Sequence, residues 1–300
     1  MWWAALGVLA FSFTVPMTKI AVRGLDPLLF ASGRAVGAGL LAIGVLVVER
    51  ASPPARTQLG RFGAVIVGIV FGFPLLTAFA LRHVPSSHGV VVIGLLPLAT
   101  AGFAVVRGGE RPSARYWLCS LVGLAAVLAF VVHEDGLTIR PAHLLLVLAV
   151  LVAALGYAEG ALLSREMAPR HVICWALVLA LPVTLALVTW SCVRTPPHAS
   201  FGQWAAFGYT AVVSMFLGFF AWYAGLARAG IARAGQLQLA QPALGLLWAW
   251  PVVGERPGTA TIATIVVVIG AVVAGRRAPV RSRTTVDSCA PPLVGRIVES

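Results

Sequence analysis

The chain has 300 residues, of which 59% are hydrophobic and only 11% are charged. Soluble domains carry about 25% charged residues, so this composition excludes a cytosolic enzyme and a nucleic-acid-binding module. The formal net charge of +12 does not indicate a polyanion partner, because the basic residues are scattered between apolar runs. We predict an integral membrane protein that is surrounded by membrane lipid, binds a small-molecule substrate and binds no nucleic acid.

Apolar stretches of about 20 residues, the length that crosses a bilayer as a helix, recur along the chain. Backbone polar groups in lipid must be satisfied within each segment, and no stretch alternates like a barrel strand. The predicted fold class is therefore an all-α integral membrane protein with ten transmembrane helices. The predicted spans are residues 2–22, 27–48, 62–81, 87–106, 116–133, 142–163, 171–191, 203–224, 234–253 and 259–275.

The basic residues predict the orientation, since cytoplasmic loops of membrane proteins are enriched in Lys and Arg. Of the 22 basic residues, fifteen fall in the second, fourth, sixth and eighth connections and the tail, and six fall on the opposite side. We therefore predict that both termini are cytoplasmic and that the chain lies in the cell membrane. The start lacks a basic n-region, so we expect a retained first helix rather than a cleaved signal peptide.

An internal repeat is the most specific signal in the sequence. Pro97 is followed by twelve residues and then by Glu-Arg-Pro beginning at Glu110, and Pro242 is followed by twelve residues and then by Glu-Arg-Pro beginning at Glu255. Both elements therefore recur at one offset, 145 residues. Five spans in each copy mean that the second copy enters the membrane in the opposite direction. Inverted repeats of this kind hold a substrate site near the membrane midplane.

The ten-span plan, the five-span duplication, the two Pro-to-Glu-Arg-Pro elements and Arg34 in the second span resemble the EamA-type branch of the drug/metabolite transporter superfamily. The likeness covers about residues 2–277. It implies a secondary carrier, often an exporter of amino acids or other small metabolites, with a cavity between the third, fourth, eighth and ninth spans or their neighbours. The predicted domains are two inverted five-helix repeats, 1–135 and 136–277, and a disordered cytoplasmic tail, 278–300.

Two charged residues within predicted spans are candidates for the substrate site, because an ionisable group in lipid needs a cavity or a partner. Glu159 either couples protons or binds a substrate amine, or it pairs with Arg165 or with an arginine of a neighbouring cytoplasmic loop. Arg34 either binds a substrate carboxylate or bonds structurally to backbone carbonyls. Lys19, close to the external boundary, is expected to be an interface anchor.

Three uncharged polar residues complete the candidate cavity. Gln238 and Gln241 are three residues apart and share a helix face, so both amides can line a cavity, although interhelical hydrogen bonds use the same residue type. His88, near the start of the fourth span, is a further candidate, with a structural role as its alternative. Trp222 and Tyr223 are expected to belong to the aromatic belt at the membrane interface.

The repeated prolines and glutamates are candidates for hinges or gates. Pro97 and Pro242 each free a backbone carbonyl in mid-span, which favours a hinge or cavity wall over a purely structural kink. Glu110 and Glu255 lie at span ends, where each glutamate can cap the helix that follows it.

The sequence favours a transporter over other functional classes. No catalytic constellation, nucleotide-binding motif or cofactor motif is present, and the cluster at His133 lacks a second histidine at helical spacing. The four cysteines have no spacing typical of a disulfide framework or a metal site. We predict a secondary transporter, an exporter of small metabolites working by alternating access as a monomer or homodimer. The alternative is a membrane-embedded scaffold with a carrier fold.

Overall fold

The computed structural model describes residues 1–135, 140–254, 256, 258–276 and 280–282. This part of the chain is almost entirely helical. Seven helical segments are long and apolar enough to cross a membrane: Trp2–Ala21, Pro27–Val48, Arg56–His83, Ser86–Val106, Pro141–Leu163, Pro169–Arg194 and Phe201–Ala229. Two shorter apolar helices are Ala114–Phe130 and Thr259–Ala271. The predicted multi-pass helical architecture is confirmed, whereas the count of ten crossings stays a prediction.

Several predicted spans are built from more than one helix. The helices are α1 (Trp2–Ser12), α2 (Thr14–Ala21), α3 (Pro27–Val48), α4 (Leu59–Val65), α5 (Phe73–His83), α6 (Ser86–Ile93), α7 (Leu96–Val106), α8 (Ala114–Asp135), α9 (Pro141–Leu163), α10 (Pro169–Arg194), α11 (Phe201–Tyr209), α12 (Gly218–Ala229), α13 (Ile231–Gly235), α14 (Ala240–Val253) and α15 (Thr259–Arg276). Short 3₁₀ turns cover Arg56–Gln58 and Gln236–Leu239.

Helix starts follow ordinary capping chemistry. Asp26 precedes α3, and its carboxylate accepts hydrogen bonds from the Leu28 and Leu29 backbone N–H groups at 2.9 and 3.3 Å. Pro27 occupies the first turn, where a missing N–H costs nothing. The same Asp26 carboxylate accepts from Ser191 Oγ at 3.1 Å, so this cap also joins the start of α3 to the end of α10.

The third and eighth predicted spans both contain a π-helical segment. These segments cover Ile66–Gly72 and Thr210–Leu217. The 145-residue offset carries residues 66–72 onto residues 211–217, so the two wide segments occupy equivalent positions in the repeat. Short π-helical insertions are frequent at functional sites, because they redirect the side chains of one turn.

The fourth and ninth predicted spans are both broken just before their mid-span prolines. Helix α7 starts one residue before Pro97, and α14 starts two residues before Pro242. A proline lacks an N–H donor, so it is accommodated best in the first turn of a new helix. The two breaks lie against each other, since a Cβ built on Gly94 would be 3.4 Å from Pro242 Cγ.

Contacts around this crossing are also related by the repeat offset. A Cβ on Gly245 would lie 3.2 Å from Val90 Cγ2, and a Cβ on Gly235 would lie 3.6 Å from Thr100 Cγ2. The offset carries Val90 onto position 235 and Thr100 onto position 245. The contact between positions 90 and 245 is therefore equivalent, under the repeat, to the contact between positions 235 and 100.

A short antiparallel strand pair joins the end of the fourth span to the tail. Strand β1 (Glu110–Pro112) pairs with β2 (Val280–Ser282), with Glu110 opposite Ser282. Within the tail, Val280–Ser282 are thus paired with β1, and the predicted disorder of residues 278–300 stays a prediction. The other tail residues lie outside the described part of the chain. Pro112 belongs to β1 rather than to the first turn of α8.

Candidate functional site

A buried polar cluster lies among the apolar helices, and Arg34 is its charged member. Arg34 extends from α3 with only 3% of its surface exposed. Its Nη2 atom donates to Ser214 Oγ at 3.4 Å, and its guanidinium carbon lies 5.8 Å from the centre of the Phe30 ring. Ser214 Oγ shares a hydrogen bond of 2.7 Å with Thr14 Oγ1. The first, second and eighth predicted spans therefore meet at this guanidinium.

Arg34 has no counter-ion among the residues that the structure describes. No described carboxylate forms an ion pair with it, and its Nε atom has no hydrogen-bond partner there. The backbone-carbonyl bonds that a purely structural Arg34 would make are not among its described contacts either. A buried cation without an anion is costly, so this guanidinium keeps unused capacity for an anionic ligand.

Aromatic rings line one side of this arrangement. Tyr157 on α9 interacts electrostatically with Arg34. The centre of its ring lies 6.5 Å from the ring centre of Phe11, 6.0 Å from that of Phe219 and 5.4 Å from that of Trp222. Phe11, Tyr157, Phe219 and Trp222 are all buried, and we call them the aromatic cluster. The Trp222 Nε1–H has no hydrogen-bond partner in the described part of the chain.

The expectation that Trp222 and Tyr223 belong to an interface belt is wrong. Both side chains are fully buried. A Cβ on Gly7 would lie 3.0 Å from Trp222 Cβ, so α1 approaches α12 closely at that point. The Tyr223 hydroxyl donates to the Gly156 carbonyl at 3.3 Å. The distance of a residue from the end of its span predicts only its depth in the membrane. Whether its side chain faces lipid or another helix depends on how the helices pack.

The two candidate glutamines lie at the break in the ninth span, and both are buried. The Gln238 amide lies next to Tyr157, yet neither its oxygen nor its nitrogen completes a hydrogen bond with a described residue. Gln241 Oε1 likewise lacks a partner there. The contact between Gln238 and Tyr157 joins the ninth and sixth predicted spans, so interhelical bonding and cavity lining both stay predictions for this amide. We call Thr14, Arg34, Tyr157, Ser214 and Gln238 the central polar cluster.

Glu159 lies apart from this cluster, in an ion pair. Its side chain is 1% exposed, and one carboxylate oxygen accepts from Arg107 Nε. The other oxygen lies 3.9 Å from Arg61 Nε. Of the predicted partners, the arginines of neighbouring loops are thus the ones in contact. Arg107 follows α7 and Arg61 lies in α4, so the pair ties three spans together at the predicted cytoplasmic face.

Two exposed carboxylates extend this ion-pair network along the same face. Glu166 accepts from Gln58 Nε2 at 2.8 Å and from Arg61, and these hydrogen bonds hold its pKa below the ordinary value. Glu49 accepts from Arg170 Nε at 2.7 Å and lies 2.6 Å from the His171 ring nitrogen, contacts that also lower its pKa. We call all these side chains the cytoplasmic network, after the predicted orientation.

The opposite face is open and basic. A cavity of about 420 Å³ is lined by Lys19, Val22, Arg23, Leu81, Arg82, His83, Val84 and Pro85. A second cavity of about 630 Å³ is lined by Phe79, His83, Arg140, Pro141, Ala142 and Leu145. Lys19 Nζ donates to the Leu81 and Val84 carbonyls at 2.7 and 2.9 Å, so it caps the end of α5 as well as lining the first cavity. Its expected role as an interface anchor is accordingly too simple.

His88 is buried beside a second histidine that the sequence analysis did not select. The ring centres of His88 and His143 lie 5.7 Å apart in a stacked arrangement, and the Phe130 ring lies 5.3 Å from His88. Both histidines are 6% exposed. His88 is therefore packed between the fourth, fifth and sixth predicted spans, and nothing places it in the central polar cluster.

Glu110 caps a helix of the other half of the chain. Its carboxylate oxygens accept from the Ile231 and Ala232 backbone N–H groups at 2.9 and 3.0 Å. Gly230 precedes them with φ of +87°, a conformation that side chains with a Cβ rarely adopt. The expected cap on the following helix, α8, is thus wrong, because the carboxylate reaches the first turn of α13. Glu255 lies outside the described residues.

Comparisons with known proteins agree with this architecture. The EamA-like transporter family matches residues 1–132 and 140–274. The uncharacterized transporter YdeK of Bacillus subtilis (strain 168) is 45% identical over 278 residues, which cover 91% of this chain and 95% of YdeK. A crystal structure of a protein with 18% sequence identity has a TM-score of 0.68, covering 91% of this chain and 96% of its own, which is a likeness of fold alone. The chain therefore belongs to the EamA-like transporter family and is a multi-pass membrane transporter.

Proposed function

We propose that the chain is a secondary transporter that exports small metabolites across the cell membrane by alternating access. The central polar cluster is the observation that carries this proposal. Thr14 and Arg34 come from the first half of the sequence, and Tyr157, Ser214 and Gln238 come from the second. A bundle held together by packing alone has no use for a buried guanidinium without a counter-ion beside a buried amide with unused hydrogen-bonding capacity, whereas a substrate can satisfy both.

Features of the backbone that recur at the 145-residue offset support the alternating mechanism. The π-helical segments, the breaks before Pro97 and Pro242 and the exchanged contacts at Gly235 and Gly245 are equivalent in the two halves. Two similar halves of opposite orientation have two packings of similar energy, one open to each side. We therefore propose two inverted five-helix repeats with ten crossings in total.

The two faces of the molecule differ in a way that fits one state of such a cycle. The cytoplasmic network joins four segments that are distant in sequence by ion pairs, whereas cavities open on the opposite face. We propose that the structure is an outward-facing state in which the central polar cluster is still buried. Export then requires these ion pairs to break so that substrate enters from the cytoplasm.

Orientation has a direct test. Reporter fusions at Ala114 and Pro197 should report cytoplasmic and external locations respectively, because fifteen basic residues lie on the side of Ala114. An external Ala114 would overturn both the orientation and the placement of the two termini in the cytoplasm.

Transport has a separate test with a matched control. The chain is expressed in a sensitive host, tolerance to metabolites and analogues is screened, and the accumulation of each hit is measured. We expect tolerance with lowered accumulation, and loss of both in Gln238→Leu, which removes a buried amide at similar volume. Thr189→Val removes an exposed hydroxyl at similar volume, away from the central polar cluster and the cytoplasmic network, and should leave export intact. Reconstituted protein that moves no screened compound would favour the scaffold alternative over a carrier.

A further inference from the structure

We propose that the transported compound is an organic anion whose carboxylate binds Arg34 and whose apolar body lies against the aromatic cluster. This inference rests on the proposed transport function and names the chemical class of its cargo. It narrows the expectation of amino acids or related compounds to acids without a fixed positive charge.

The missing counter-ion of Arg34 is the first step. The guanidinium has five N–H donors in a planar fork that fits both oxygens of a carboxylate. In the described residues its polar contact is a single long hydrogen bond to Ser214, and its Nε–H has none. A buried cation is tolerable when an anion accompanies it, and a substrate carboxylate supplies that anion.

The absence of an available acid is the second step. Every acidic side chain that the structure describes already binds another group: Asp26 and Glu110 cap helices, and Glu49, Glu159 and Glu166 pair with cations. A substrate ammonium group would therefore be buried without a carboxylate, at a cost that a neutral or apolar group avoids. The described site thus favours an acid over a zwitterion and over an amine.

Neutral groups around Tyr157, which interacts with Arg34, fit the rest of such a ligand. The Gln238 amide and the Trp222 Nε1–H have unused donors, and each is suited to a carboxylate oxygen or to a hydroxyl on the ligand. Phe11 and Phe219 are buried apolar rings beside Tyr157, so the body of the compound would meet an apolar and aromatic surrounding there.

The experiment measures binding of four compounds of one shape to the full chain in lipid nanodiscs at pH 7.5. The compounds are 3-phenylpropionate, its amide, 3-phenylpropylamine and phenylalanine, which present an anion, a neutral group, a cation and a zwitterion. We expect the carboxylate to bind at least about tenfold more tightly than each of the others, since a charge-assisted pair is worth about 1.5–3 kcal/mol.

Three substitutions connect that preference to Arg34. Arg34→Gln should lower carboxylate affinity about 10- to 100-fold and leave amide affinity unchanged. Arg34→Lys keeps the charge without the fork and should lose about tenfold or less. Arg228→Gln removes an exposed arginine and should bind like the wild type. Should Arg34→Gln fail to fold, the carboxylate-to-amide affinity ratio of Arg34→Lys provides the same test.

Several outcomes overturn the proposal. These are equal affinity for the carboxylate and the amide, tighter binding of the amine or zwitterion, no binding of any compound at millimolar concentration, or an unchanged affinity ratio in the Arg34 variants. Flux of the bound compound in proteoliposomes separates this inference from transport itself. Binding at Arg34 without flux refutes transport and supports the anion site. Flux of cations alone supports transport and refutes the anion site.

Discussion

The Glu110 carboxylate should be a principal stabilising contact between the two halves of the chain. It is 6% exposed and accepts backbone N–H groups of Ile231 and Ala232 at 2.9 and 3.0 Å. Each such bond to a charged acceptor contributes about 1.5–3 kcal/mol, and each buried N–H left without a partner costs about 1–3 kcal/mol. We expect Glu110→Ala to lower the free energy of unfolding by about 3 kcal/mol. Glu110→Gln keeps one carbonyl acceptor and should lose about half as much.

The assay is equilibrium unfolding of purified protein in mixed micelles with increasing dodecyl sulfate, followed by tryptophan fluorescence. Glu166→Gln is the matched control, because its side chain is 42% exposed and exposed pairs contribute about 0–1 kcal/mol. The reasoning is refuted when Glu110→Ala unfolds at the same detergent fraction as Glu166→Gln. A loss in Glu110→Gln as large as that in Glu110→Ala would refute the assignment of two separate acceptor oxygens.

Three further changes have defined outcomes. Gly225→Ala should destabilise the fold by about 1–3 kcal/mol in the same assay, since its Cβ would lie 2.6 Å from atoms of the facing helix, whereas Gly44→Ala, with nothing within 4 Å, should not. Glu159→Gln should increase maleimide labelling of Cys174 in the purified protein, because Cys174 is buried near the predicted cytoplasmic end of α10. An unchanged rate would exclude a role of the Glu159 ion pair in closing that face. Glu49 and Glu166 have lowered pKa values in the fold, so their stabilising effect is present above the ordinary value of 4.5 and is lost as the pH falls below it. The midpoint temperature of thermal unfolding should therefore decrease between pH 7 and 3.5, and the decrease should be smaller when both residues are replaced by Gln.

The repeat could be predicted from the sequence because prolines mark it, and the effect of a proline on a helix follows from its covalent structure alone. Proline has no N–H wherever it occurs, so Pro97 and Pro242 identified the two positions at which helices restart. The equivalent π-helical segments had no such marker. Their residues are ordinary apolar ones, and the wider turn results from packing between helices, which a single sequence does not display.

The sequence identified the charged residues of the candidate site and missed most of its neutral ones. Arg34 and Glu159 stood out because ionised groups are rare in apolar spans. Ser214 and Tyr157 carry neutral groups that are common in membrane helices, so nothing in their spacing linked them to Arg34 across more than 100 residues. The separation of Glu159 from Arg34 was equally hidden, since it depends on the reach of Arg107 from another span.

The repeat offset separates what the two halves share from what they do not. Backbone breaks and close contacts recur at 145 residues, but the polar groups do not: Arg34 corresponds to Leu179, Ser214 to Ile69 and Gln238 to Ile93. The buried ion pair of the cytoplasmic network has no charged counterpart, since Glu159 corresponds to Thr14 and Arg107 to Val252, whereas the exposed Glu49 and His171 correspond to Arg194 and Asp26. In the proposed alternating cycle, the buried pair of Glu159 and Arg107 would therefore form in one packing and have no equivalent in the other. We expect the closed cytoplasmic face to be the lower-energy state of the empty transporter, so that for export these ion pairs break first and an anion then reaches Arg34 from the cytoplasm.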